Sequence, residues 1–112
     1  METPANLKQA YGKIEGAHHE LAAIVKDGDL SKAHRVADRI GKFAATLPGL
    51  ATKAGLAPAD AEALGVAAKD LQALFEPMDE AGDSGKRDEA AKVLARYDAP
   101  LAVVKAKALL EK

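Results

Sequence analysis

The chain reads as an all-α protein: one domain over residues 1–112, folded as an up-down-up-down antiparallel four-helix bundle. Three observations predict it. Aromatic residues make up only 4% of a chain that is 48% hydrophobic. Alanine, the best helix former, is abundant while the β-branched and aromatic residues a sheet core needs are scarce. The apolar residues recur in steps of three and four, the period of one helix face.

The first helix is predicted to open at Thr3-Pro4, with threonine as cap and proline at the position where its missing N–H has no partner to lose. Its inward stripe is Leu7, Tyr11, Ile14, His18, Leu21 and Val25, and Gly28 ends it. Asp29 then caps a second helix from Leu30 to Thr46, with Ala33, Val36, Ala37, Ile40, Phe43 and Ala44 inward. Pro48-Gly49 closes that helix, and residues 48–57 are expected to be a loop. Pro58 opens the third helix, with Asp60 and Glu62 at its positive end. Leu64, Ala67, Ala68, Leu71, Leu74, Phe75 and Met78 form its stripe, and Pro77 predicts a kink near 73–77. Asp79–Gly85 is expected to turn into a fourth helix, Lys86–Leu110, which Pro100 should bend or split. Its stripe places Tyr97 inward, with the hydroxyl at the rim of the core as for Tyr11.

The turn Asp27-Gly28-Asp29-Leu30-Ser31-Lys32 is similar to Ala81-Gly82-Asp83-Ser84-Gly85-Lys86. The bundle is therefore expected to be two similar helical hairpins stacked together.

Composition narrows the function. The net charge is −1, which leaves no electrostatic footprint for nucleic acid. Residues 1–56 carry eight Lys/Arg against six Asp/Glu (net +2), and residues 57–112 eight against eleven (net −3). No apolar run reaches the ~20 residues of a membrane span, so no membrane insertion is expected. The chain as written opens without a signal peptide. Without cysteine there is neither a disulfide nor a thiolate metal site. No nucleophile motif or spaced carboxylate pair nominates an enzyme.

The remaining chemistry is three histidines on either side of Gly28. His18 lies on the inward seam of the first helix, His19 on its outer stripe with Glu15, and His34 beside the seam of the second helix, one turn before Asp38. Folding the hairpin about Gly28 leaves His18 and His34 offset by about 6 Å along axes roughly 8–10 Å apart. Their imidazoles can share an ion if both face the groove, with Asp38 or Glu15 adding an oxygen. Such a donor set suits copper, zinc or nickel. Adjacent histidines point about 100° apart on a helix, so only one of His18 and His19 can join His34. Structurally, the same residues read as a core histidine and two ordinary i,i+4 pairs, His19 with Glu15 and His34 with Asp38.

The strings His19-Glu20-Leu21-Ala22-Ala23-Ile24-Val25-Lys26-Asp27-Gly28-Asp29-Leu30 and Ala33-His34-Arg35-Val36-Ala37-Asp38-Arg39-Ile40 resemble small alanine-rich periplasmic four-helix proteins. These share the architecture of cytochrome b562 and occur with heavy-metal and copper efflux components. The resemblance implies a secreted, non-enzymatic, metal-associated accessory bundle for copper or zinc, a metal-efflux component as partner, and His19 and His34 as the matching positions. It implies no haem, because no histidine near the C-terminus matches the axial ligand. Gly28-Asp29-Leu30 followed by Ala33-His34-Arg35 also resembles histidine-phosphotransfer domains, which implies His34 as phosphoacceptor, although Ala37 and Asp38 stand where that family carries lysine and glycine. A third reading is a purely structural or protein-docking bundle.

Overall fold

A computed structural model describes residues 3–111. The chain is 83% helical, and no strand occurs among the described residues. Helix α1 spans Leu7–Asp27. A 3-10 turn, Leu30–Lys32, leads into α2, Ala33–Ala45, followed by α3, Leu47–Lys53. Then come α4, Pro58–Ala73; α5, Phe75–Ser84; α6, Arg87–Ala95; and α7, Asp98–Ala108. The pairs α2–α3, α4–α5 and α6–α7 are bent rods, so with α1 the molecule is the four-helix bundle the periodicity predicts. The rod α1 packs on α2 and on α6–α7, and α4–α5 packs on α2–α3 and on α6–α7. This closes a ring in which each rod meets the two beside it.

The three bends have one cause. Pro48, Pro77 and Pro100 have no N–H to give the carbonyls of Ala44, Ala73 and Arg96, and their rings crowd those carbonyls. The breaks fall at Thr46, at Leu74 and at Arg96–Tyr97. The kink near 73–77 and the split at Pro100 match the expectation. The loop expected over 48–57 is instead helical as far as Lys53: Pro48 sits in the first turn of α3, where a proline costs nothing, and Leu47 and Ala51 anchor that helix in the core.

Two other boundaries differ from the sequence reading. Helix α1 starts at Leu7, not at Thr3-Pro4. Asn6 caps it, accepting from Gln9 N at 2.8 Å, while Gln9 Oε1 accepts from Ala5 N at 3.0 Å. The next two free donors go to the far end of the chain: Leu7 N and Lys8 N lie 2.8 and 3.3 Å from the carboxylate oxygens of Glu111. That carboxylate sits at the positive end of the helix and ties the two termini together. The turn expected over Asp79–Gly85 is helix as far as Ser84, and the left-handed residue that ends it is Gly85 (φ 66°). Gly28 (φ 80°) ends α1 in the same way. The equivalent glycines of the two hairpins are therefore Gly28 and Gly85; Gly82, paired with Gly28 in the sequence reading, lies within α5. A Cβ on Gly82 would stand 3.1 Å from the Leu30 carbonyl, so its lack of a side chain lets α5 close onto the turn before α2.

The core is mostly alanine and leucine, with Ile14, Ile40, Val36, Val104, Met78 and Tyr97 among its fully buried members. Arg87 spans the turn end of the bundle, donating to Val25 O (3.1 Å) and Lys26 O (2.5 Å) at the C-terminus of α1. A cation there complements the free carbonyls and the negative end of the helix. No described helix is long and apolar enough to cross a membrane.

Candidate functional site

The structure does not bring His18 and His34 together. Helix α2 carries His34 away from α1 and toward α5, where its Nδ1 is 2.6 Å from Asp79 Oδ1 and its ring meets the edge of Phe75, with centroids 5.2 Å apart. Helix α1 carries His18 toward α6–α7, where it packs on Tyr97 (centroids 5.6 Å apart) and Nε2 is 3.9 Å from Asp98 Oδ1. The expected shared groove is missing because each seam residue of a four-rod ring faces one of two neighbours, and these two residues chose different ones. His19 is exposed, its ring 6.5 Å from that of His18. Glu15 is taken by Tyr11, whose hydroxyl donates to it at 2.5 Å, and Asp38 by Lys42 at 3.0 Å. Neither carboxylate forms the i,i+4 pair with histidine that spacing allows. Among the described residues no three His, Cys, Asp or Glu side chains are grouped so as to hold a metal ion.

At His34 the carboxylate of Asp79 can only accept, so Nδ1 carries the proton and the lone pair of the neutral ring sits on Nε2. The side chain is 62% exposed. The hydrogen bond to Asp79 holds its pKa above the ordinary histidine value against the effect of burial, and the charges of Asp79, Asp38 and Asp83 add to the rise. This is an oriented imidazole in a negative field.

His18 is the inverse case. Its side chain is only 16% exposed, and its buried Nε2 has no hydrogen-bond partner. Tyr97 is fully buried and its hydroxyl likewise has no partner. The rim position expected for that hydroxyl is not realised, because the break at Arg96–Tyr97 turns the whole ring into the core. Burial pushes the Tyr97 phenol up to about 12. Leaving a buried polar group unpaired costs about 1–3 kcal/mol. The phenol of Tyr11 is also raised to about 12, there by its hydrogen bond to the Glu15 carboxylate, with burial and that charge adding.

A different feature lies along α4 and α7. Between α4 and α7 runs an open groove of about 470 Å³, walled by Ala63, Val66, Ala99, Pro100 and Val103 and edged by Glu62 and Asp70. Val66 is 55% exposed, and it is one of three large hydrophobic residues exposed among those described. The other two, Leu109 and Leu110, follow directly on α7. The helix-face periodicity of the sequence does not mark this surface. Its signals were Val66 on the polar side of α4 and Ala99-Pro100 opening α7.

Compared with protein-family models, with curated proteins and with solved structures, the chain matches none.

Proposed function

We propose that the protein is a non-enzymatic docking bundle that receives an amphipathic helix in the groove between α4 and α7. The observation that carries this reading is the groove itself: two helices with small side chains along it, an exposed Val66 on α4, and two acids with no base among the lining residues. Alanine walls let a fifth helix approach closely, and an apolar stripe laid between two rods is the usual helix-in-groove mode. Glu62 and Asp70 select a partner helix with lysine or arginine beside its stripe.

A second copy of this chain fits less well. Three of the cations on and just before α2 are already paired within the molecule: Lys32 with Asp29, Arg39 with Glu20 and Lys42 with Asp38.

The phosphotransfer reading has one observation in its favour, the exposed His34 with Nδ1 held and Nε2 free. The field around that ring opposes it, since Asp79, Asp38 and Asp83 repel a phosphoryl group as they favour a cation. Incubation with a phosphorylated receiver domain should leave His34 unlabelled.

The docking test uses two short synthetic helices with one leucine-alanine stripe, flanked by lysine in one and by glutamate in the other. The lysine peptide should shift the amide resonances of Val66 and Val103. Val66→Asp should weaken it at least about tenfold, about 1.4 kcal/mol, and Glu62→Lys with Asp70→Lys should transfer the preference to the glutamate peptide. Shifts confined to other faces, indifference to Val66→Asp, or self-association through this face would each overturn the reading.

A further inference from the structure

The cavity between α4 and α7 takes its α7 wall from Ala99, Pro100 and Val103, but the apolar edge of that helix runs further. Ala99, Val103, Ala106 and Leu110 follow one another in steps of four, three and four, so they share one face. Ala99 and Ala106 are exposed, Val103 is half-buried and Leu110 is 48% exposed. The coil persists past the last residue of α7: Leu109 N donates to Lys105 O at 3.3 Å and Leu110 N to Lys107 O at 3.1 Å. Leu110 therefore keeps its place on that face. Leu109, 74% exposed, is turned about 100° away from it.

Helix α4 supplies a matching length. Ala59, Glu62, Val66 and Asp70 line the groove in steps of three and four along one unbroken helix. Lys107 Nζ donates to Asp60 Oδ1 at 2.8 Å, which joins the start of α4 to the end of α7. The two edges are thus antiparallel, with Ala59 toward Leu110 and Asp70 toward Ala99. Each edge advances by about three helical turns, roughly 16 Å. The same bond neutralises Asp60. Glu62 and Asp70 are exposed and form no ion pair among the described residues. They stand about 12 Å apart along the axis of α4.

Resting on the docking reading above, we propose that the helix received here is about three turns long, covers Leu110 as well as Val66, and carries two cationic side chains seven residues apart on the side facing α4. A helix confined to the cavity leaves Leu110 in water, whereas one of three turns removes both large apolar side chains from it. A step of seven residues returns a side chain to the same side after about 10.5 Å. Flexible lysine stems then reach both acids. A step of three, about 4.5 Å, makes the two stems splay apart or share one acid.

The experiment uses three-turn peptides with a leucine-alanine stripe, held helical by a side-chain lactam on the outer face because so short a free chain is largely unfolded. One carries lysines seven residues apart and the other three apart. Binding to the full chain is followed by amide NMR and calorimetry. The first peptide should shift the amides of Ala106 and Leu110 together with those of Val66 and Val103, and bind about threefold tighter than the second. Asp70→Asn should abolish that preference. Leu110→Ser should weaken binding about fivefold, and Leu109→Ser should leave it unchanged. Both leucines are exposed, so neither change should disturb the fold, and the thermal midpoint checks this. Binding that Val66→Asp weakens, but that ignores Leu110→Ser, falls equally with Leu109→Ser or ignores lysine spacing, would overturn this partner and leave the docking groove standing. No binding, or binding indifferent to Val66→Asp, would remove both.

Discussion

His18 and His34 are the same side chain on neighbouring helices, and each faces an aspartate from another rod, yet they end in opposite states. His34 is 62% exposed, its Nδ1 is bonded at 2.6 Å, and three carboxylates set its field. His18 is 16% exposed, its Nε2 is buried, and the nearest carboxylate stays 3.9 Å away. The difference lies in what each ring packs against. Phe75 offers His34 only an edge and leaves it in solvent. Tyr97 occupies the core beside His18 and shuts its inner nitrogen away from water. Solvent thus reaches the free nitrogen of one ring and is kept from that of the other. Identical chemistry on two neighbouring helices therefore yields an oriented surface imidazole and a shielded one whose Nε2 is unpaired.

The sharpest way to break this contrast is at Tyr97. Tyr97→Ala empties a fully buried aromatic site and should destabilise the fold by about 3–5 kcal/mol. Tyr97→Phe removes only the unpaired hydroxyl and should be neutral or stabilising by up to about 1 kcal/mol. Denaturant unfolding measures both; a Phe variant that loses more than about 1 kcal/mol would mean that the hydroxyl has a protein partner after all.

A smaller effect separates the two aspartates. Asp79→Asn should bring the His34 titration midpoint, followed by NMR of the imidazole, down toward the ordinary histidine value. Asp98→Asn should not move that midpoint. Equal responses to the two variants would erase the distinction between the pairs.

The smallest effect is the pH dependence. The folded-state pKa of His34 lies above its unfolded value of 6.5. Protonation therefore stabilises the fold. The contribution is fully present below the unfolded value and is lost as pH rises through the raised one. The difference in thermal midpoint between wild type and His34→Gln should accordingly favour wild type on the acid side of 6.5 and shrink toward alkaline pH. A difference that grows with pH would show that Asp79 does not stabilise the imidazolium.

Much of the architecture was legible before any coordinates. The 3–4 recurrence of apolar residues, Gly28 as a helix stop and the breaks at Pro77 and Pro100 are local properties, set by helix period and by backbone sterics. The errors sit where a distant residue decides a local outcome. Asn6 rather than Thr3 begins α1 because Gln9 and Glu111 complete its cap. Residues 48–53 are helical because Leu47 and Ala51 find core. Asp79 is helix rather than turn because Gly82 lets α5 reach Leu30. For the candidate sites less was legible. Periodicity put His18 on a seam and His34 beside one, but it could not say which neighbour each seam faces. The pairing with Asp79, the approach of Asp98 and the burial of the Tyr97 hydroxyl therefore went unread, as did the groove over α4 and α7.

By itself the sequence determined that this chain forms four helical rods, where two of its proline bends fall, and which residues leave water. Those outcomes depend on interactions within about one helical turn. Only the tertiary structure decided which histidine meets which carboxylate, that Tyr97 is sealed inside with its hydroxyl unpaired, and that α4 and α7 leave an apolar groove uncovered. Those outcomes depend on how four rods rotate about their own axes as they pack, a choice made by the sum of contacts from distant segments that no local pattern encodes.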